Sequence, residues 1–199
     1  MPVTALILDF GEVMVRPQSP AAMARMAATA RLPLEEFERR YWAERLAYDN
    51  GQPAAEYWRG IMPEATDADV AALIDGDYRS WTDYREDMWM ITAAFKAGGG
   101  RTAILSNGVH EIIGRVPRER PLTPYFDVIV VSYELGFAKP DPAIYRVCLE
   151  RLGVPAAAAL FVDDRRKNIE AADRLGIQTL HFTGDASVDE LRARLGMTA

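Results

Sequence analysis

The chain has 199 residues, which fits one domain that carries an insertion better than two independent units. Apolar residues make up 49% of it and charged residues 26%, as in ordinary globular proteins, so disorder and collagen-like structure are excluded. The 23 basic and 29 acidic residues leave a net charge of −6, which repels a phosphate backbone and argues against a nucleic-acid partner.

Cysteine usage and hydropathy predict a cytoplasmic protein without a membrane partner. Cys148 is the only cysteine, so no intrachain disulfide can form and a reducing compartment is expected. The apolar run at residues 3–8 is too short for the hydrophobic part of a signal peptide, and it is followed at once by Asp9. No apolar stretch approaches the roughly 18 residues that a membrane-spanning helix needs.

Five short apolar runs predict the strands of one sheet. They are apolar almost throughout instead of alternating, which is typical of strands that helices cover on both faces, so the sheet is expected to be mainly parallel. The runs are residues 3–9, 102–106, 128–132, 159–163 and 178–182.

Helical patterns lie between most of these strands and often end at a glycine. They cover residues 86–97, 142–152, 168–175 and 188–195. The alternation of strands and helices predicts a Rossmann-like α/β fold, with a five-stranded, mainly parallel sheet and helices on both faces.

About 90 residues separate the first predicted strand from the second, far more than a simple crossover needs. Most of this interval has helical periodicity, interrupted by prolines, with helices expected at residues 21–30, 34–48 and 67–80. We therefore predict a core domain of residues 1–16 and 85–199 and a small helical cap domain of residues 17–84. The cap contains Trp42, Trp58 and Trp81, which are expected to pack its interior.

Polar and charged residues follow four of the five predicted strands. In open α/β sheets, ligands bind beyond the carboxyl ends of the strands, so these residues are expected to converge on one site. The first strand ends in Asp9, the second in Ser106 and Asn107, and the fourth in Asp163 and Asp164, while Lys139 follows the third.

Carboxylates gathered at one edge repel one another and require a compensating cation. A donor set made of oxygen atoms, without histidine or cysteine, favours Mg²⁺. Asp9 is then a candidate nucleophile toward phosphorus, and Ser106, Asn107 and the following backbone N–H groups are candidate phosphate ligands. Taken singly, each residue also has a structural interpretation: Asp9 as a turn residue, Asp163 and Asp164 as helix caps.

The ordered set of motifs resembles the haloacid dehalogenase superfamily, whose members are mostly magnesium-dependent phosphatases. The resemblance extends from residue 5 to residue 183, and the helical insertion lies where that superfamily carries its type 1 cap. The matching motifs are LILDFGEV, ILSNG, GFAKPDPAIY and FVDDRRKNIEAADRLG.

This resemblance implies a role for each site residue. It makes Asp9 the nucleophile, Ser106 a ligand of the transferred phosphoryl group, and Lys139 the cation that stabilises both. Asn107 and Gly108 complete the expected substrate site. The expected magnesium ligands are Asp9, the backbone carbonyl of Gly11, Asp163 and Asp164, with Asp164 as the direct ligand of the last pair.

The chain departs from the superfamily's usual phosphatase pattern at Gly11, where those enzymes carry an aspartate that acts as general acid and base. General acid–base assistance is worth about 10²- to 10⁴-fold, so slow turnover is expected. Glu12 is a candidate substitute, although an offset of one residue usually points a side chain elsewhere. The same glycine occurs in a phosphatase branch that includes sugar-phosphate phosphatases, which the motifs resemble most.

The sequence therefore favours a phosphatase that acts on a small phosphorylated metabolite through an aspartyl-phosphate on Asp9. Two alternatives stay open: a 2-haloacid dehalogenase, in which Asp9 attacks carbon without a metal, and a noncatalytic protein that binds a phosphorylated ligand. The pair Asp163 and Asp164 argues against the dehalogenase. Neither the substrate nor the oligomeric state follows from the sequence.

Overall fold

The computed structural model describes residues 1–197, and these contain one five-stranded sheet in which every neighbouring pair of strands is parallel. The strand order is β3-β2-β1-β4-β5. This sheet confirms the predicted α/β fold. Its strands are β1 (Ala5–Leu8), β2 (Arg101–Ser106), β3 (Val128–Val131), β4 (Ala159–Asp163) and β5 (Gln178–His181).

The central strand β1 sets the position of the candidate nucleophile. Leu8, its last residue, pairs with Ile104 of β2 on one side and with Val162 of β4 on the other. All residues of β1 and β4 are buried, which explains why their sequences do not alternate between apolar and polar residues. Asp9 follows β1 directly, and its N–H donates to the Val162 carbonyl at 3.0 Å.

Six helices lie between β1 and β2, and we refer to residues 20–81, which contain the first five of them, as the helical segment. Prolines precede two of these helices, and Thr66 forms a capping box with Asp69 at the start of the fifth. The single helix expected at residues 34–48 is broken at Glu44 into two. The helices of this segment are α1 (Pro20–Thr29), α2 (Leu34–Ala43), α3 (Arg45–Asp49), α4 (Ala54–Ile61) and α5 (Asp67–Ser80).

The helix α6 (Glu86–Ala97) leads from the helical segment into β2, the later helices follow strands β2 to β5, and a short 3-10 helix (Ala156–Ala158) precedes β4. Within the described residues, no helix has both the length and the hydropathy that crossing a lipid bilayer requires. These helices are α6 (Glu86–Ala97), α7 (His110–Ile113), α8 (Val116–Glu119), α9 (Ser132–Leu135), α10 (Pro142–Leu152), α11 (Arg166–Asp173) and α12 (Asp185–Arg194).

Helices cover both faces of the sheet, as the apolar strands predict. On one face, Leu6 and Leu8 belong to the same apolar cluster as Trp89 of α6 and Leu191 of α12. On the other face, a second cluster joins inward side chains of β1 and β4 to helices α10 and α11. The two faces of each strand are therefore buried against different helices.

The two chain segments that connect the helical segment to the sheet run side by side. Val15 and Tyr84 form an antiparallel bridge, and the Arg85 N–H donates to the Met14 carbonyl at 3.0 Å. The indole N–H of Trp89, which is 1% exposed, also donates to the Met14 carbonyl at 3.0 Å. Trp89 thus ties this junction to the core of the sheet.

Replacing Trp89 tests this packing. Trp89→Ala removes a fully buried aromatic side chain and leaves the Met14 carbonyl without its indole donor, so we expect the free energy of unfolding to fall by about 3–5 kcal/mol. Urea denaturation measures this change. The neighbouring Met90 is 70% exposed, and Met90→Ala should change stability by less than about 0.5 kcal/mol. Equal losses in the two variants would contradict the assigned packing.

Candidate active site

Asp9 lies at the carboxyl edge of the sheet with one of its carboxylate oxygens already engaged. The Oδ1 atom accepts the Phe10 N–H at 2.7 Å and lies 2.8 Å from the Nζ atom of Lys139. The residue is 7% exposed. Because two donors hold Oδ1, the second oxygen, Oδ2, is the one oriented for other partners.

Lys139 is buried between two carboxylates. Its Nζ lies 2.8 Å from Asp9 Oδ1 and 2.7 Å from Asp163 Oδ2. The side chain of Asn107 holds the lysine backbone: its Oδ1 accepts the Lys139 N–H, and its Nδ2 donates to the Lys139 carbonyl, each at 2.8 Å. The structure therefore uses the Asn107 amide to position the lysine, a role that the sequence reasoning missed.

Asp163 is fully buried and its oxygens are well occupied. Besides Lys139, its partners are the Arg165 N–H at 2.8 Å and the Asn168 Nδ2, which lies 2.9 and 3.1 Å from the two oxygens. Asn168 sits in the first turn of α11 and was not predicted from sequence. The sequence feature that could have identified Asn168 is its position five residues after Asp163, at the start of a helix. Asp163 thus anchors the lysine and the beginning of α11.

Asp164 completes a cluster of three carboxyl groups. Carboxylate oxygens of Asp9, Asp163 and Asp164 all lie within 4.8 Å of one another. The Asp164 side chain is 19% exposed, whereas that of Asp163 is 0% exposed, so Asp164 is the more accessible of the pair. The structure brings together the carboxyl groups that the sequence predicts to hold a metal.

The charges of this cluster are not balanced by the protein. Burial raises the pKa of Asp9 to about 8; Lys139 opposes this shift, and Asp163 and Asp164 add to it. Burial also raises the pKa of Asp164 to about 6, with Asp163 and Glu12 contributing. Burial by itself lowers the pKa of Lys139, but Asp163 and Asp9 outweigh it and keep the amine charged. One lysine against three carboxyl groups leaves negative charge that a divalent cation with a preference for oxygen ligands fits.

The cluster opens on a cavity of about 60 Å³. Ser106, the last residue of β2, is 2% exposed and lies on its wall. All of the predicted site residues except Asp163 line this cavity. The predicted residues that line the cavity are Asp9, Gly11, Ser106, Asn107, Gly108, Lys139 and Asp164.

The loop after Asp9 differs from the sequence expectation at Glu12. This residue has a φ of 57°, in the left-handed region that non-glycine residues rarely adopt. The local reversal brings Glu12 onto the cavity wall, near enough to raise the pKa of Asp164, although an offset of one residue was expected to point it elsewhere. The Gly11 carbonyl, a predicted metal ligand, accepts the Val13 N–H at 2.7 Å.

The helical segment contributes residues to the cavity that the sequence reasoning did not identify. Trp58 is fully buried, as predicted, but Trp42 is 44% exposed and lines the cavity together with Trp81. A Cβ atom at Gly11 would lie 3.5 Å from the Trp81 ring, so an indole occupies the space beside the glycine. Two charged residues, Arg45 and Asp49, also line the cavity. No motif distinguishes them, because their approach depends on how the helical segment packs.

Ser132 connects the helical segment to the loop that follows β2. Its buried hydroxyl donates to the Asp49 carbonyl and accepts the Gly108 N–H at 3.1 Å. A Cβ atom at Gly108 would lie 2.9 Å from the Ile113 side chain, so only glycine fits this close approach without displacement. The Gly108 N–H, which the sequence predicts as a candidate phosphate ligand, thus donates to Ser132 in the structure.

These observations define an α/β protein with an aspartate, a lysine and a carboxylate pair at the carboxyl edge of its sheet. The chain matches the family model of haloacid dehalogenase-like hydrolases over residues 3–176. It therefore belongs to this family of hydrolases, as the sequence motifs indicate.

Individual relatives resemble the chain to different extents. Acyl-CoA dehydrogenase family member 10 of Mus musculus is 38% identical over 112 residues, which span 55% of this chain but 10% of that protein. Phosphatase MT3486 of Mycobacterium tuberculosis is 27% identical over 89% of this chain and 86% of its own length. A HAD family enzyme of Bacteroides thetaiotaomicron, solved with magnesium and inorganic phosphate, has a TM-score of 0.78 at 20% identity, covering 92% of this chain and 96% of that one. At this identity the structural likeness shows the fold alone.

Removing the Ser132 hydroxyl tests its connecting role. Ser132→Ala leaves a buried N–H and a buried carbonyl without their partner, so we expect a loss of about 1–3 kcal/mol in unfolding free energy. We also expect faster hydrogen exchange at the Gly108 amide. Urea denaturation and exchange measured by mass spectrometry provide the two readouts.

The matched control is Ser187→Ala, because Ser187 is also buried and its hydroxyl accepts the Thr183 N–H at 2.8 Å, at the start of α12. This variant should lose stability without faster local exchange around Gly108. Unchanged exchange at Gly108 in Ser132→Ala would contradict the connection.

Proposed function

We propose that this hydrolase is a magnesium-dependent phosphatase that cleaves a small phosphorylated metabolite. The observation that carries the proposal is the position of Asp9, which Lys139 and the Phe10 N–H hold at the carboxyl edge of the sheet beside the carboxylates of Asp163 and Asp164. The name of the relative MT3486 and the magnesium and phosphate in the Bacteroides structure support this choice.

In this proposal the metal is held by the predicted ligands Asp9, the Gly11 carbonyl and Asp164, with Asp163 behind them as the partner of Lys139. When bound, Mg²⁺ supplies the positive charge that the carboxylates lack and stabilises charge on the phosphoryl oxygens. Hydrogen bonds from Asn168 and the Arg165 N–H fix the Asp163 carboxylate, and Asp163 in turn keeps the Lys139 amine beside Asp9.

The first chemical step is attack of an Asp9 carboxylate oxygen on phosphorus. An oxygen–phosphorus bond forms on Asp9, and the bond from phosphorus to the leaving alcohol breaks, so that the alkoxide takes its electron pair and then a proton from water. The Ser106 hydroxyl and the backbone N–H of Asn107 bind the transferred phosphoryl group, and Lys139 stabilises its charge. Water then attacks phosphorus, and inorganic phosphate leaves as the Asp9 carboxylate is restored.

The turn at Gly11 bears on the rate of both steps. Without a carboxyl side chain at this position, protonation of the leaving alcohol lacks the usual assistance, worth about 10²- to 10⁴-fold. The helical segment, acting as the predicted cap, excludes bulk water through Trp42 and Trp81. We therefore propose slow turnover that is fastest with leaving groups that need little protonation.

A cytoplasmic location is part of the same proposal. Cys148 is buried and unpaired, and it lies on α10 in the apolar cluster between that helix and the sheet. A free thiol of this kind is stable in a reducing compartment, where small phosphorylated metabolites are available.

The first test is hydrolysis of p-nitrophenyl phosphate, whose leaving group scarcely needs a proton. We expect turnover with Mg²⁺ and none with a chelator, and Asp9→Asn should lower kcat by about 10³-fold or more because it removes the nucleophile. Asp189→Asn is the matched control, since the Asp189 side chain is 83% exposed on α12 and should not affect turnover. Circular dichroism checks that each variant is folded.

Two other experimental results would support a different function. Halide release from a 2-haloacid without metal, abolished by Asp9→Asn, would indicate a dehalogenase. Binding of Mg²⁺ and inorganic phosphate without cleavage of any phosphate ester would indicate a noncatalytic binding protein.

The second test is the pH dependence of stabilisation by magnesium. Protons compete with Mg²⁺ for carboxyl groups, and the pKa values of about 8 for Asp9 and about 6 for Asp164 mean that both are protonated at lower pH. The rise in melting temperature caused by MgCl₂ should therefore be small at about pH 5 and large at about pH 8.

In the absence of metal, the stability of the protein is expected to change with pH in the opposite direction. The pKa of Asp9 is about 8 in the folded chain and near 3.8 when unfolded, so the folded state holds its proton more tightly between these values. The unfolding free energy of the metal-free protein should then decrease as pH rises through this window. Thermal denaturation with MgCl₂ or with a chelator distinguishes the two effects, and equal stabilisation by MgCl₂ at both pH values would contradict the site.

A further inference from the structure

A second group of charges borders the cavity on the side of the helical segment, and we call Arg45, Asp49 and Asp77 the Arg45 cluster. The Arg45 Nε donates to Asp49 Oδ1 at 3.0 Å, and its Nη1 donates to Asp77 Oδ2 at 3.1 Å. The Tyr41 hydroxyl donates to Asp77 Oδ1 at 2.7 Å. Arg45 and Asp49 line the cavity, whereas Asp77 lies behind them.

The Arg45 cluster carries one positive and two negative charges. Its side chains are 9%, 14% and 2% exposed for Arg45, Asp49 and Asp77, so water screens their charges only weakly. A buried arginine beside a phosphate site would ordinarily suggest a receptor for a second anion. Here the two carboxylates outweigh it, so the Arg45 cluster itself carries an excess of one negative charge. The other arginine that lines the cavity, Arg165, is 49% exposed, so water screens its charge more strongly.

The donors of Arg45 lead to the same conclusion. A guanidinium binds a carboxylate or phosphate most strongly through two adjacent N–H groups, either Nε with Nη2 or Nη1 with Nη2. Each of these pairs already has one member engaged: Asp49 accepts the single Nε–H, and the two N–H groups of Nη1 go to Asp77 and to the Tyr41 hydroxyl. An anionic substrate group could not gain a two-point contact with Arg45 without breaking an ion pair.

The position of the Arg45 cluster relative to the reaction follows from the proposed function. If the phosphoryl group lies between Asp9, Ser106 and Lys139, the leaving alcohol extends toward the rest of the cavity lining, which includes Asp49 and Arg45. The Asp49 backbone is held there by Ser132. The indole of Trp42 provides an apolar surface in the same lining.

We propose that Asp49, fixed by Arg45 and Asp77, is a specificity-determining residue that selects phosphate esters whose leaving alcohol carries no negative charge. This inference rests on the proposed phosphatase activity. The Asp49 carboxylate accepts hydrogen bonds from hydroxyl or ammonium groups of the alcohol, and it repels a carboxylate or a second phosphate. Arg45 and Asp77 act through Asp49 and hold its orientation.

The test compares three small esters whose leaving alcohols differ in charge: glycerol phosphate, phosphoethanolamine and phosphoglycolate. With saturating Mg²⁺, kcat/KM for the uncharged and the cationic alcohol should exceed that for phosphoglycolate by about tenfold or more. Asp49→Asn removes the charge and keeps the shape, so it should raise phosphoglycolate relative to glycerol phosphate by about tenfold, mainly through KM.

Asp67→Asn is the matched control, because it changes net charge equally and lies in the same helical segment. The Asp67 side chain is 99% exposed and pairs with Arg59, away from the cavity wall. The ratio between the esters should be unchanged in this variant. A purely long-range effect of net charge would instead shift the ratio equally in both variants and would overturn the assignment to Asp49.

The inference is overturned if the wild-type protein prefers phosphoglycolate, or if Asp49→Asn leaves the ratio unchanged while the variant is folded and cleaves p-nitrophenyl phosphate. If the wild-type protein cleaves no ester at all, the proposed function fails, and calorimetric binding of the three esters with Mg²⁺ tests the selectivity by itself. Weaker binding of phosphoglycolate than of the other two supports the inference; equal or stronger binding, or no binding of any ester, overturns it.

Discussion

The repulsion among three carboxyl groups that share a single buried lysine is the constraint on which the site depends. Parallel strands bring Asp9, Asp163 and Asp164 to one edge of the sheet, and Lys139 lies between the first two. Neutral donors complete the arrangement, since Asn168 and a backbone N–H at the start of α11 bind Asp163. The protein thus holds its carboxylates in place without neutralising them. Binding of the proposed magnesium ion relieves the remaining repulsion, which contributes to the affinity of the site for the metal.

An excess of carboxylate over basic groups also occurs where the helical segment lines the cavity, in the Arg45 cluster. Arg45 is paired with more carboxylate than it can balance, so the Arg45 cluster is anionic like the cluster at the sheet edge. Within residues 1–197, the group of carboxylates close enough together to hold a metal ion is the one at the sheet edge. In our proposal, the substrate that fits both clusters is a phosphate ester with an uncharged alcohol, whose phosphoryl group is bound at the sheet edge and whose alcohol contacts Asp49. Ser132 contacts the helical segment and the loop after β2 and relates their positions through one hydroxyl group.

Gly11 and its neighbours show how the loop after β1 has been altered around the nucleophile. The side chain that would assist proton transfer is missing, the Trp81 ring lies beside the vacant position, and Glu12 turns onto the cavity wall through a left-handed backbone. For the proposed phosphatase reaction, this loop provides no side chain at position 11 to protonate the leaving alcohol. Membership of the family accounts for the sheet and the motifs.

Local sequence by itself determined the strands, most helices and the convergence of the motif residues. Residues 159–163, 86–97 and 142–152 form elements with the predicted bounds, because apolar periodicity, proline and glycine act over a few neighbours. The meeting of Asp9, Ser106, Lys139 and Asp164 followed from a rule about parallel sheets. Only the tertiary structure decided that Asn107 positions Lys139, that Glu12 faces the cavity and that Arg45 and Asp49 form its wall. Those outcomes depend on side-chain direction and on packing between segments far apart in the chain, which no local pattern encodes.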